Sequence, residues 1–135
     1  MVYGYFMKNV AIREHHLYNK AFTRGKRYVG RYVAVYVLRD YAAERLKKEN
    51  PLKLYVNRLG LSVSKKLGGA VKRNRAKRLL RAGYDAVKSE LRTGYLIVIS
   101  PRASVLSAKS TDVAKELSTA FCELGMISSG ETKQQ

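Results

Sequence analysis

The stretch KKLGGAVKRNRAKRLLR, residues 65–81, is the most informative segment of the sequence. Eight of its 17 residues are Lys or Arg, and none is acidic. Apolar or small residues recur in and just after it at the spacing of one helix face: Val71, Ala76, Leu79, Leu80, Gly83 and Val87. Because a disordered basic tail would lack this stripe, the spacing predicts a helix over about 70–91, docked on a core.

The charge of the whole chain indicates an anionic partner. Its 135 residues predict one domain, with 27 Lys and Arg against 10 Asp and Glu, a net charge of +17. Residues 50–84 contain no acid, whereas residues 105–135 are nearly neutral. Such self-repulsion destabilises a compact chain that has no counter-charge. Nucleic acid, and RNA in particular, is the favoured partner, and an anionic membrane surface is the distant second.

Cysteine usage and hydropathy indicate the compartment. The one cysteine, Cys122, excludes an intramolecular disulfide and predicts a reducing, cytoplasmic location. No apolar run approaches the ~20 residues that span a bilayer, and the basic helix has no large apolar residues free of a core role, so no membrane partner is expected. We expect a flexible leader over residues 1–11, a single domain over 12–125 and a disordered tail over 126–135.

Patterning outside the basic stretch predicts the remaining elements. Helices are expected over residues 14–24 and 111–125, the second capped by Thr111 or Asp112. Strands are expected over residues 28–38, 54–64 and 95–100, the last one buried, and a polar loop over 40–51. The first two strands are expected to pair as a hairpin. The order helix, strand, strand, helix, strand, helix predicts one sheet with helices packed on it.

The polar side of the basic helix is a candidate RNA-binding surface. Positions three and four apart share a helix face, so Asn74, Lys77, Arg78 and Arg81 lie opposite the apolar stripe, with Arg75 to one side. Lys72 and Arg73 fall in the first turn. Lys65 and Lys66 precede the Gly68-Gly69 pair, where backbone amides at the helix start can face a phosphate. A merely solvated basic face is the alternative interpretation.

No pattern in the chain predicts a catalytic or metal-binding side chain. Metal-dependent phosphodiester cleavage usually gathers several carboxylates on two ions, whereas these ten acids are scattered. His15 and His16 are adjacent and therefore point in different directions on a helix. A protein-only nuclease is disfavoured, while a structural RNA-binding protein of the ribosomal type remains the alternative function.

Residues 60–81, GLSVSKKLGGAVKRNRAKRLLR, closely resemble the characteristic motif of the bacterial ribonuclease P protein subunit. The matching positions are Ser62, Val63, Ser64, Lys65, Lys66, Gly68, Ala70, Val71, Arg73, Asn74, Arg75, Lys77, Arg78 and Arg81. Gly69 stands where the family usually has a larger residue. The resemblance extends over about residues 12–124.

The resemblance implies an α+β two-layer sandwich with the order α-β-β-β-α-β-α. Its four-stranded sheet would contain a left-handed crossover through the basic helix. The residue patterns alone indicate three strands clearly, so the fourth strand is expected within residues 24–38.

The resemblance also implies a function, as a subunit of an endoribonuclease. The partner ribonuclease P RNA would hydrolyse precursor tRNA with magnesium, and protein side chains would bind no cofactor. The protein, as a monomer in a 1:1 complex, would bind that RNA through its basic helix and hold the 5′ leader of precursor tRNA in a cleft. The positions of this chain that match the family's cleft residues are Tyr18, Phe22, Arg31, Ala34 and Tyr36. For Tyr18 and Phe22, core packing is a nearly equal alternative.

Overall fold

The computed structural model of the chain describes residues 10–40 and 57–127. Within these ranges the chain forms five strands and three α-helices. In chain order they are β1 (Val10–Ala11), α1 (His15–Arg24), β2 (Lys26–Val29), β3 (Val33–Arg39), β4 (Arg58–Leu61), α2 (Ala70–Val87), β5 (Tyr95–Pro101) and α3 (Ser110–Glu123). Short 3₁₀ helices are Lys65–Leu67, Lys88–Glu90 and Ala103–Ser107.

All five strands belong to one mixed sheet in the order β1-β4-β5-β3-β2. β4 runs parallel to β1 and β5, whereas β3 runs antiparallel to β5 and β2. The helix α2 lies in the connection between the parallel neighbours β4 and β5. The mixed α+β class is therefore confirmed, with five strands instead of four because two residues before α1 pair with β4. The left-handed sense of the crossover stays a prediction.

Helices cover both faces of the sheet, which differs from the predicted two layers. Alternate residues of β3 explain this arrangement, since Val33 and Val35 pack in the core with α2 and α3, whereas Ala34 and Tyr36 stand on the α1 face. The central strand β5 is apolar on both faces and contributes to both cores. A strand buried on both sides requires a helix on each side.

The predicted strand over residues 28–38 is wrong as a single strand. A turn at residues 30–32 divides it into β2 and β3, and the amide of Gly30 donates to the carbonyl of Val33 at 2.8 Å. This hairpin supplies the strand that was expected within residues 24–38. The predicted pairing of the 54–64 strand with the first strand is also wrong, because β5 inserts between β3 and β4.

The ends of the packed region differ slightly from the predicted boundaries. Val10 and Ala11 pair with β4, and Met126 and Ile127 are buried, so the domain includes residues outside 12–125. The remaining leader and tail positions, and residues 41–51 of the expected loop, lie outside the described residues.

The start of α3 also differs from the prediction. Lys109, instead of Thr111 or Asp112, occupies the N-cap, and its amide donates to the Asp112 carboxylate at 3.0 Å. The carboxylate therefore reaches back from the third helical position to satisfy the residue before the helix.

A buried ion pair joins the end of β3 to the start of β4. Asp40 is almost fully buried, and its carboxylate accepts two hydrogen bonds from Arg58, at 2.7 and 2.9 Å. The same guanidinium lies 3.3 Å from Glu14, just before α1. The hydrogen bond to Asp40 raises the pKa of Arg58. Asp40 was expected in a loop. It instead holds the end of β3 to the start of β4 on the α1 face of the sheet.

Candidate nucleic-acid interface

The helix α2 separates an anchoring side from a cationic side. Its buried residues are Ala76, Leu80, Gly83, Tyr84 and Val87. Most of the predicted RNA-binding side chains of α2 are exposed: Lys72, Asn74, Arg75, Arg78 and Arg81. Arg73 and Lys77 are half-buried at the flanks of the core. The 3.6-residue period therefore gives one apolar and one charged side, as the sequence predicted.

Val71 departs from the predicted anchoring stripe. Its side chain is 82% exposed, although its position around the helix matches the apolar spacing. The first buried residue of α2 is Ala76, so the first turn makes no contribution to the core. Periodicity specifies the direction of a side chain around the axis, but not how far the neighbouring sheet extends along it.

The chain enters α2 through a tight, lysine-bearing turn. Lys65 and Lys66 are exposed, and the hydroxyl of Ser64 accepts a hydrogen bond from the amide of Lys66 at 3.0 Å. Gly68 has a φ of 139°, a backbone conformation that favours glycine. Gly69 occupies the N-cap and offers no capping side chain. The amides of the first turn of α2 are therefore not capped by the N-cap side chain.

The cations of this region are not neutralised by neighbouring acids. Within residues 10–40 and 57–127, the ion pairs are Arg58 with Glu14 and Asp40, and Lys88 with Asp85. None of them involves a cation of residues 65–81. In the same described part, the buried Nε of Arg73 has no hydrogen-bond partner. Among the described residues, the cations of residues 65–81 therefore lie close together without forming an ion pair.

The opposite face of the sheet carries an aromatic surface beside α1, formed by Phe22, Tyr36 and Ala34 and called the groove below. The rings of Phe22 and Tyr36 meet edge to face, with centroids 4.8 Å apart and planes at 88°. Phe22 is 36% exposed, and Tyr36 is half-buried. Ala34 lies two residues before Tyr36, on the same face of β3. The structure thus brings three of the predicted cleft residues together at the open edge of α1.

Tyr18 lies one turn before Phe22 and packs more deeply. It belongs to the smaller core between α1 and the sheet, and its ring covers Gly60 of β4. A Cβ at Gly60 would lie 2.6 Å from the ring, so the glycine permits this close approach. Burial raises the pKa of Tyr18 above its usual value. Tyr18 is therefore the more buried of the two α1 aromatic residues, and Phe22 is the more exposed.

Arg31 does not lie among the other predicted cleft residues. It occupies the turn between β2 and β3, and its guanidinium lies 5.4 Å from the centre of the Tyr32 ring. Its backbone amide donates to Glu116 of α3, which packs on the other face of the sheet. Arg31 thus stands at the end of the hairpin that borders the groove.

Two residues of the groove edge were missed by sequence reasoning. Arg27 pairs with Tyr36, and Val29 pairs with Ala34, so each shares the groove face with its partner. Arg27 is exposed, and Val29 is 53% exposed. Recognising the turn at Gly30 would have revealed them, because the hairpin register then follows. β2 therefore adds a cation and an apolar surface to the groove.

The described ranges contain no group of three or more His, Cys, Asp and Glu that could hold a metal ion. His15 and His16 are both exposed at the start of α1. In the same part of the chain, no helix combines the length and apolar character needed to cross a bilayer.

The fold and its two surfaces define a class of protein: a small α+β domain with a core-docked cationic helix on one face and an aromatic groove on the other. The family described as Ribonuclease P matches residues 6–125. The chain belongs to this family, which confirms the resemblance. Its members are protein components of ribonuclease P, a tRNA-processing ribonucleoprotein.

Curated relatives and solved structures match over most of the chain. The ribonuclease P protein component of Clostridium acetobutylicum is 29% identical over 121 residues, covering 90% of this chain and 93% of the relative. That of Syntrophus aciditrophicus is 34% identical over 110 residues, covering 82% of each. The RNase P protein structure from Staphylococcus aureus has a TM-score of 0.68 at 25% identity, covering 89% of this chain and 99% of that one.

Proposed function

We propose that this chain is the RNA-binding subunit of a ribonuclease P ribonucleoprotein, acting on precursor tRNA. In this proposal the exposed side of α2 binds the ribonuclease P RNA, and the groove beside α1 holds the 5′ leader of precursor tRNA. Hydrolysis is carried out by the RNA with magnesium, in a 1:1 complex in the cytoplasm. The observation that carries the proposal is the unneutralised cationic side of a helix that the core holds in place.

The chemistry of α2 suits the backbone of folded RNA. A planar guanidinium can hold a phosphate through two hydrogen bonds, so Arg75, Arg78 and Arg81 form a row of phosphate-binding groups. Asn74, exposed among them, can donate and accept and therefore suits a base edge or a ribose hydroxyl. Like charges at this spacing destabilise an isolated helix, and bound phosphates remove that repulsion.

The chemistry of the groove suits a single strand of RNA. Aromatic faces stack on unpaired bases with little dependence on sequence, and nearby cations follow the backbone. Phe22 and Tyr36 supply the rings, while Arg27 supplies the cation in register with Tyr36. A leader of variable sequence requires this tolerance.

Five of the seven acids in residues 10–40 and 57–127 have structural partners, which supports assigning hydrolysis to the RNA. Glu14 and Asp40 pair with Arg58, and Asp85 pairs with Lys88. Glu116 accepts hydrogen bonds from backbone amides at the β2–β3 turn. Carboxylates engaged in this way serve the fold, and the protein's contribution is to bind and position.

Reconstitution tests the proposal. The protein is mixed with a bacterial ribonuclease P RNA at limiting magnesium, and 5′ maturation of precursor tRNA is followed. We expect the protein to accelerate cleavage by the RNA and to be inert alone. Cleavage by the protein alone would overturn the division of labour.

Two variants test the two surfaces separately through binding measurements on the same components. Arg78→Ala should weaken binding to ribonuclease P RNA and reduce the slope of log K against log salt by about 1. Tyr36→Ala should weaken binding of precursor tRNA with a leader and spare mature tRNA. Lys115→Ala, which removes an exposed cation from α3, is the matched control and should leave both quantities unchanged. An unchanged salt slope in Arg78→Ala would reject α2 as the docking surface.

A further inference from the structure

One carboxylate of α3 holds the turn between β2 and β3. Glu116 accepts hydrogen bonds from the amides of Arg31 at 3.1 Å, Tyr32 at 2.9 Å and Val33 at 2.9 Å. These donors are three consecutive backbone groups, 83 to 85 residues away in sequence. Hydrogen bonds to a charged acceptor are about twice as strong as neutral ones, so the turn is tied firmly to α3.

The surroundings of Glu116 are arranged for this contact. A Cβ on Gly30 would overlap the Glu116 carboxylate, so the glycine leaves room for it. On the other side of the turn, the amide of Arg102 donates to the carbonyl of Tyr32 at 2.8 Å, and its guanidinium donates to the carbonyl of Gly30 at 3.2 Å. The next residue of α3, Leu117, is fully buried. The carboxylate therefore projects from a helix that the core immobilises.

The position of this turn decides the shape of the groove on the opposite face. The turn sets how β2 pairs with β3, which places Arg27 beside Tyr36 and Val29 beside Ala34. β2 has four residues and lies at the end of the sheet, and within residues 10–40 and 57–127 it pairs with β3 only. A short edge strand with a loose turn would fray or shift relative to its partner.

We propose that Glu116 is a positioning residue for the leader of precursor tRNA, acting through the β2–β3 turn. It holds β2 so that the cation and apolar surface of that strand stand beside the aromatic rings of the groove. The inference rests on the proposed function of the groove and adds a residue on the far face of the sheet, which touches no RNA.

The first test measures the contact itself in the free, full-length protein. Hydrogen exchange of the amides of Arg31, Tyr32 and Val33 is followed by NMR in the wild type and in Glu116→Ala. We expect exchange at these amides to become at least about tenfold faster, because each loses a charged acceptor. Glu123→Ala, at the exposed end of the same helix, is the control and should leave these rates unchanged. Unchanged exchange in Glu116→Ala would overturn the positioning role.

The second test separates positioning from general stability. Affinities of the reconstituted complex are compared for precursor tRNA with a leader and for mature tRNA. Glu116→Ala should lower the preference for the leader about tenfold, the size usual for coupled neighbours. Binding of ribonuclease P RNA, and its salt slope, should match the wild type. Equal weakening for both tRNAs, or an unchanged preference, would overturn the inference.

Gly30→Ala tests the same contact from the other partner. Its added methyl group displaces the carboxylate, so the variant should show the leader defect of Glu116→Ala. The double variant should be no worse than either single variant, because both remove one interaction. Additive losses would contradict a shared contact. If the wild type itself showed no leader preference, the proposed function of the groove would fall, whatever the exchange of the three amides.

Discussion

α2 and α1 pack on opposite faces of the same sheet, and they are built differently. α2 buries five of its 18 residues and packs along α3, so its outer side can carry concentrated charge. α1 buries one of its ten residues, Ala21, and leaves the rings of Phe22 and Tyr36 at an open edge. The core beneath α2 is thus extensive and supports the charged face, whereas the core beneath α1 is small and leaves the groove open.

This difference indicates that the α2 face contributes most of the stability, whereas the α1 face leaves its rings accessible to a ligand. Repulsion among the cations of α2 requires many apolar contacts to offset it. The groove needs few buried contacts, because its rings must remain reachable by a ligand. Four substitutions, each paired with a counterpart, test this distinction.

Leu80→Ala should be the most damaging of these changes. Leu80 lies on the buried side of α2 and is fully buried. Its truncation should lower the free energy of unfolding by about 2–5 kcal/mol. Leu17→Ala, on the half-buried side of α1, is the counterpart and should cost about 1 kcal/mol. Urea denaturation of both variants measures the two values. Equal losses of stability would contradict the difference between the extensive core beneath α2 and the small core beneath α1.

Tyr84→Phe should change how stability depends on pH. Burial raises the pKa of Tyr84 from 10 to about 12. Between these values the unfolded chain loses the phenolic proton and the folded chain keeps it, so stability falls as pH rises. The group's contribution is complete below pH 10 and declines by about 1.4 kcal/mol per pH unit above it.

The unfolding free energies of the wild type and of Tyr84→Phe are measured below pH 10 and between pH 10 and 12. Their difference should be constant in the first range and should change with pH in the second. Titration of the lysines is common to both proteins and cancels. Tyr18→Phe serves as the α1 counterpart, and the less buried Tyr18 should give a smaller difference. A difference that does not vary with pH would contradict the buried, protonated phenol.

Gly60→Ala should affect the groove more than the fold. The added Cβ meets the ring of Tyr18, so the ring must shift and α1 with it. We expect a loss of about 1 kcal/mol in stability and weaker binding of leader-bearing precursor tRNA. Gly69→Ala, where a Cβ meets nothing within 4 Å, is the matched control; it should cost about 0.5–1 kcal/mol through the N-cap and leave leader binding unchanged. Indistinguishable leader affinities for the two variants would argue against a contribution of Tyr18 to the groove.

Val71→Ala should have the smallest effect on stability. The side chain is exposed, so thermal or urea unfolding should change by less than about 0.5 kcal/mol. The same substitution at buried Val87, on the same helix, should cost about 2 kcal/mol. A large loss at Val71 would restore the anchoring role that its spacing predicted.

Local patterns were sufficient to predict the helices and the buried strand. Ala76, Leu80 and Val87 follow the 3.6-residue period, and residues 95–100 form an unbroken apolar run that became β5. Val71 follows the same period and is exposed, because the extent of the sheet beneath a helix depends on the tertiary structure.

Partners distant in sequence account for the rest. Alternation continues through residues 28–38, yet the chain turns there because Glu116 and Arg102 bind the backbone around Gly30. The pairing of Arg27 with Tyr36 follows from that turn, so this edge of the groove was hidden from sequence reasoning. The motif of residues 65–81 indicated the charged face directly, since its residues are contiguous.

The placement of α2 between β4 and β5 links assembly of the fold to recognition. Parallel neighbours cannot be joined by a tight turn, so this pair forms only after a long segment has closed. Before that closure α2 has no core to dock on, and its crowded cations oppose helix formation. The cationic surface is therefore complete only in a chain whose central sheet is closed. A polyanion that requires this surface selects the folded chains and, by mass action, stabilises them further.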